Sequence, residues 1–224
     1  LKRFTRLYLP LLCVFLIGYL LVSYADGSFV SPNFSQLFCN LCKLQDWAKA
    51  KPNVIVDPYL GNDPLWSLAY EWWFYMLFYP ITVFIKNETN RNRLVFTVSI
   101  VFAGIYVVQP LFPVRIVMYF AIWWAGVVMA EAYLKNESFD FRALLLPMAS
   151  LGTIILVLTL DVYLARQAGE RMTLGFHPLL EWRHFAFALF AMVFALIWRA
   201  RQWVLFDTLI KPFALFAPIS YTIY

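Results

Sequence analysis

Long apolar runs separated by short polar punctuation dominate the chain, and each run is close to the roughly 20 residues that a helix needs to cross a bilayer. Taken in order, the pattern predicts six complete spanning helices and the start of a seventh. The six cover Leu7 to Ala25, Pro64 to Ile85, Leu94 to Val108, Ile116 to Leu134, Ala143 to Leu164 and His184 to Trp198, and the seventh begins near Phe213. The expected fold is an all-α, multispan transmembrane helix bundle. Two connections are long, Asp26 to Asp63 and Asp161 to Trp182. The first contains Pro32, Pro52, Pro58 and Gly61 and lacks a long apolar period, so it should be irregular, with one short helix around Phe38 to Lys49. Loops of that length are usually functional or disordered. No internal repeat or heptad seam appears, and a single membrane domain over residues 1–224, with 26–63 as a loop within it, accounts for the pattern. The chain opens at Leu1 without methionine and stops at Tyr224 as a new apolar run begins, so it reads as a piece of a longer protein, incomplete at both ends.

Composition supports the bilayer reading. Hydrophobic residues make up 62% of the chain and charged residues only 14%, against about 25% charged in an ordinary soluble domain. A soluble fold would need more charge than this to coat its exterior. The first apolar run, after Lys2, Arg3 and Arg6, is too long for a signal-peptide core and has no small-residue cleavage site. The net charge of +5 does not point to nucleic acid, because the cations are scattered among the connections. They report orientation instead. With residue 1 on the cytoplasmic side, that side receives the larger share of Lys and Arg, and both long loops lie outside. The expected location is the cell (inner) membrane, with several passes. Of the three N-x-S/T sequons, at Asn33, Asn87 and Asn136, only the first would then face a glycosylation machinery. Cys39 and Cys42 form a single CxxC on the outer loop, too few ligands for a zinc site, and a disulfide there is open if the loop faces an oxidising compartment.

Candidate chemistry gathers where an acid enters the second span. Asp63 followed by Pro64 is a helix-start signal, because aspartate can cap free N–H groups and proline gives up an N–H that has no partner. Glu71 then lies roughly 10 Å along the helix, inside the hydrocarbon edge. Ser67, Glu71 and Tyr75 recur at i, i+4 and i+8 and form one polar stripe, expected to face the bundle interior. Two readings of Glu71 stand. It is an intramembrane functional group, or it hydrogen-bonds a neighbouring helix while Trp66, Trp72, Trp73 and Tyr75 act as belt aromatics. Arg115 and Arg183 each begin a span on the outer side, as snorkelling anchors or as partners for Glu71, with Arg115 the favoured partner. His177 before Pro178 reads as a loop residue and His184 as an interfacial one.

These residues also resemble a known family. N-x-P-L-W-S-L-x-x-E-x-x-F-Y, here Asn62 to Tyr75, is similar to the signature of the acyltransferase 3 family of integral membrane O-acyltransferases, which decorate sugars and other hydroxylated acceptors. Arg3 to Pro10 resembles that family's R-x-x-R-x-x-x-P entry to a span, and Ile219 to Tyr224 its late I-S-Y-S-L-Y element, with Ser220 and Tyr221 inside it. The run from Arg115 through Gly126 is compatible with the middle of the fold.

The resemblance implies an enzyme that moves an acyl group from a cytoplasmic donor, acyl-CoA, to a hydroxyl of a sugar or similar acceptor, with no bound cofactor or metal. It implies that Arg3 and Arg6 hold the donor's phosphates, as guanidinium forks do. Glu71 would orient the catalytic centre or support its acid–base chemistry, and Asn62, Trp66, Ser67, Tyr75 and Arg115 would contact substrate. The family's catalytic histidine would lie upstream of Leu1, so this piece alone is expected to be inactive. A transporter or exporter using Glu71 as an intramembrane binding residue is the alternative.

Overall fold

The computed structural model describes residues 2–134, 141–170 and 172–216. Its long helices are α1 (Lys2–Ala25), α3 (Trp66–Phe84), α4 (Glu88–Val108), α5 (Phe112–Leu134), α6 (Phe141–Gln167) and α7 (Leu179–Ala200). Two short ones, α2 (Phe34–Leu41) and α8 (Phe206–Leu209), lie in the connections. There is no strand among the described residues, only an isolated bridge between Gln45 and Val56. The all-α bundle expected from the apolar pattern is what forms.

Five helices, α1 from Leu7, α4, α5, α6 and α7, are long and apolar enough to cross a membrane. Helix α3 has 19 residues, roughly 28 Å of rise, but Glu71 and its many Trp and Tyr residues dilute the aliphatic run, and it is not one of the five. The six predicted complete spans fall mainly on α1 and α3 to α7, and several of these helices start earlier than the apolar runs. Helix α4 begins at Glu88 rather than Leu94 because the Asn87 side chain accepts the Asn90 N–H at 2.9 Å and caps a polar first turn. The loop helix is α2, not Phe38 to Lys49, and Asn33 caps it by accepting from the Gln36 N–H at 3.0 Å. Near Phe213 the chain forms a 3-10 segment, Lys211–Phe216, and the rest of the predicted seventh span lies outside the described residues.

Helix α5 is the most enclosed element. Met118, Ala121 and Trp124 have no exposed surface, and Phe74, Phe78, Phe120, Trp123 and Trp124 pack ring against ring between α3 and α5. Small residues such as Ala103 on α4 and Ala121 on α5 are fully buried. Helix α1 has its own small core, with Leu11 and Phe15 against Tyr59 of the α1–α3 connection and Leu37, Leu41, Leu65 and Leu68 around them.

Because the helices alternate in direction, one end of the bundle collects the 26–65 loop, the short α4–α5 turn and the 168–178 connection. The opposite end collects the start of α1, the α3–α4 turn and α8. At that second end Arg91 pairs with Glu131, and Asn92 accepts the Trp124 indole N–H at 2.8 Å.

Candidate functional site

The loop-rich end holds a buried ionic network whose centre is Asp46. Its carboxylate accepts from Lys51 Nζ at 2.7 Å, Tyr70 Oη at 2.7 Å, Arg115 Nη1 at 2.5 Å and the Trp47 N–H at 2.9 Å. The Asp46, Lys51 and Arg115 side chains are all fully buried. Arg115 is equally committed, with Nε donating to Tyr106 Oη at 3.1 Å and Nη2 to the Pro52 carbonyl at 2.5 Å. Three buried charges are tolerated here because the one carboxylate faces both cations and neutral partners satisfy the rest. Lys51 also lies over the Trp66 ring, 3.6 Å from its centroid. Burial pushes its ammonium down to about 8, with Asp46 opposing that shift and Arg115 adding to it.

A second branch runs through the other side of Arg115. Tyr106 Oη donates to Glu181 Oε1 at 2.9 Å, and Glu181 Oε2 lies 3.2 Å from His177 Nδ1. His177 Nε2 faces Asp161 Oδ2 across 3.9 Å. The His177 backbone N–H donates to the Ala50 carbonyl at 2.8 Å, tying the α6–α7 connection to the α1–α3 connection. Thus the ends of α4 and α6, the starts of α3, α5 and α7, and the α1–α3 connection all contribute to one network.

Helix α3 turns a different face inward from the one the i, i+4 stripe suggested. Tyr70 and Phe74, with Trp66 beside them, lie against the core, Glu71 is exposed, and Ser67 and Tyr75 are half-buried. Ser67 Oγ donates to the Pro64 carbonyl at 3.0 Å, and Tyr75 meets the edge of Trp123. The inward face is set by Tyr70, whose hydroxyl reaches Asp46 and whose ring packs on Phe74, Phe112 and Tyr119. Arg115 therefore pairs with Asp46, with Glu181 at 3.8 Å, rather than with Glu71. The Asp63 carboxylate does not cap the helix. A 3-10 turn, Asp63–Leu65, precedes α3, and Asp63 instead sits 3.5 Å from Lys49 Nζ.

Of the other residues singled out in the sequence, Asn62 joins the two 3-10 turns through its backbone. Trp66 stacks on His184, which shares a 2.8 Å hydrogen bond with Tyr119 Oη, so His184 lines the inner face of α7 rather than only the interface. Arg3 and Arg6 lie in the first turns of α1, but their side chains, with all of Ser220 and Tyr221, fall outside the described residues. Cys39 and Cys42 are free thiols.

Sequence reasoning missed Asp46, Lys51, Tyr70, Tyr106, Asp161 and Glu181. The available signal was positional: Asp161 and Glu181 stand near the ends of apolar spans that meet at one membrane face. Lys43 was missed as well. It is fully buried with its Nζ 4.6 Å from the Tyr8 ring centroid, no hydrogen-bond partner reaches it, and burial pushes its ammonium down to about 8.

No curated protein and no solved structure matches the chain. The family of the acyltransferase domain does match, over residues 1–224. A bundle of apolar spanning helices carrying the Asn62 to Tyr75 signature, matched from its first residue to its last, belongs to the acyltransferase 3 family.

Proposed function

We propose that this membrane acyltransferase domain moves an acyl group from acyl-CoA, on the side where α1 begins, to a hydroxyl of a sugar or similar acceptor at the loop-rich end. The observation that carries the reading is the family match over all of residues 1–224. The two ends of the bundle suit the two tasks. Arg3 and Arg6 open α1, where guanidinium forks would hold the donor's phosphates. The opposite end has the water-accessible connections and the buried network that a polar acceptor needs.

Glu71 has a different setting from its neighbours. An exposed carboxylate within a spanning helix is costly against lipid, so its face calls for a polar partner. In the whole protein that partner would be the histidine-bearing span implied upstream of Leu1, with the histidine as principal base and Glu71 orienting it. Trp66, Ser67, Tyr75 and Asn62 would shape the acceptor side. Arg115, fully committed to Asp46, Tyr106 and Pro52, would act by holding the outer loop in place.

The test is turnover by the full-length protein in detergent with labelled acyl-CoA. Acceptor-dependent release of CoA is expected, and Glu71→Gln should abolish it while leaving the inserted amount unchanged. Near-normal turnover by Glu71→Gln would remove that residue from the site. Vectorial uptake of a solute without CoA release would replace the enzyme with a transporter.

A further inference from the structure

A groove on the side of the bundle lies away from the buried network. It runs between the first two turns of α6 and the last two turns of α7, with Phe141 and Met148 on one wall and Val193, Leu196 and Ile197 on the other. Its volume is about 540 Å³, within the roughly 300 to 1,000 Å³ of ligand sites. Phe141, Ile197 and the neighbouring Phe194 are each more than half exposed. The groove therefore opens sideways onto a surface that lipid covers, not into the bundle.

Its chemistry changes along its length. Arg199 lines the end nearest the helix termini, and Val193 lies six residues, roughly 9 Å, deeper along α7. Trp198, next to Arg199, packs edge to face on Trp203 at 5.3 Å and donates its indole N–H to the Val204 carbonyl at 2.8 Å. Indole rings with one polar edge collect at the headgroup level of a bilayer, so Arg199 stands at that level and Val193 among the acyl chains. Arg142, which follows Phe141, and Arg201, two residues past Arg199, are both exposed. The mouth is thus cationic and the trough apolar.

That combination selects one ligand chemistry. A soluble anion would match the arginines and leave the trough to ordinary lipid, whereas a zwitterionic lipid would fill the trough and gain little from the arginines. Guanidinium groups hold phosphate oxygens in pairs, and basic pockets between spanning helices at a bilayer face hold anionic headgroups. We infer that the α6–α7 groove is a binding site for an anionic phospholipid of the leaflet at the end where α1 begins, with its phosphate on Arg199 and one acyl chain against Val193 and Leu196. This goes beyond acyl transfer and does not depend on it.

Native mass spectrometry of the full-length protein, delipidated in detergent and titrated with dioleoyl phosphatidylglycerol or dioleoyl phosphatidylcholine, tests the assignment. The wild type should retain one phosphatidylglycerol in preference to phosphatidylcholine. Arg199→Gln should weaken phosphatidylglycerol binding by at least about fivefold, the worth of one arginine beside an anionic headgroup, and Arg199→Lys should restore part of the loss. Val193→Trp, which fills the trough and keeps the cation, should weaken both lipids. Lys86→Gln, which removes an exposed cation of the α3–α4 turn at the same end, should change neither. Equal retention of the two lipids by the wild type would overturn the site. So would equal losses in Arg199→Gln and Lys86→Gln, which would mean diffuse attraction, or displacement of the bound lipid by one equivalent of oleoyl-CoA, which would give the groove to the acyl donor.

Discussion

Asp46 collects donors from a lysine, an arginine, a tyrosine and a backbone amide, so its removal leaves two buried cations facing each other. Asp46→Ala should cost about 3 to 5 kcal/mol, because an uncompensated buried charge costs more than the pair contributes. Thermal unfolding of the detergent-solubilised protein would measure it, and a loss below about 1 kcal/mol would place the network at the solvent-screened surface instead. Lys43 gives the opposite sign. Its folded value, about 8, lies below the ordinary lysine value of 10.5, so the folded state disfavours the proton. The penalty is present in full below pH 8 and is relieved as pH rises towards 10.5. Lys43→Met should therefore raise the unfolding temperature at pH 7, by a gain on the order of 2 kcal/mol, and that gain should shrink by pH 10. An advantage that does not change with pH would show that Lys43 is not buried as a charge. At this scale the sequence was only partly readable. Glu71 stood out because an acid inside an apolar run is visible without a structure, whereas Asp46 and Lys51 sit in an irregular loop where charge is unremarkable. Only the tertiary fold makes them buried.

Helices were more legible than residues, since a 20-residue apolar run leaves few alternatives. The errors fell at helix ends, where polar residues extend a helix beyond its apolar stretch once a cap is available. Asn87 is the clearest case, and Asn87→Ala should cost α4 about 1 kcal/mol, read as a lower unfolding temperature. An unchanged temperature would mean that packing against α5 alone sets that end. The inward face of α3 was the other error. Spacing identifies which residues share a face but not which face wins burial. The Trp66, Tyr70 and Phe74 side of α3 won because aromatic area and one hydroxyl for Asp46 outweigh a stripe bearing a carboxylate.

The whole molecule is polarised: a buried network and long connections at one end, short turns and the Arg91–Glu131 pair at the other. In the proposed orientation, which follows the Lys and Arg bias, the first end faces the outside. Cys42 is exposed on the connection between α1 and α3, so in that orientation a membrane-impermeant maleimide should label it in intact cells, and labelling only after lysis would invert the orientation. The acyltransferase family itself was legible from one stretch, Asn62 to Tyr75, because that run is long and ordered, while the cluster around Asp46 is assembled from separate elements and leaves no contiguous motif.

If donor and acceptor bind at opposite ends of this bundle, acyl transfer must cross the membrane. Full-length protein would be reconstituted in sealed vesicles of one orientation, with labelled acyl-CoA added to one side and the hydroxylated acceptor confined to the other. Label should reach the acceptor only when acyl-CoA is on the side of Arg3 and Arg6 and the acceptor on the side of Asp46 and His177. Label transfer only when both substrates share one side would contradict it.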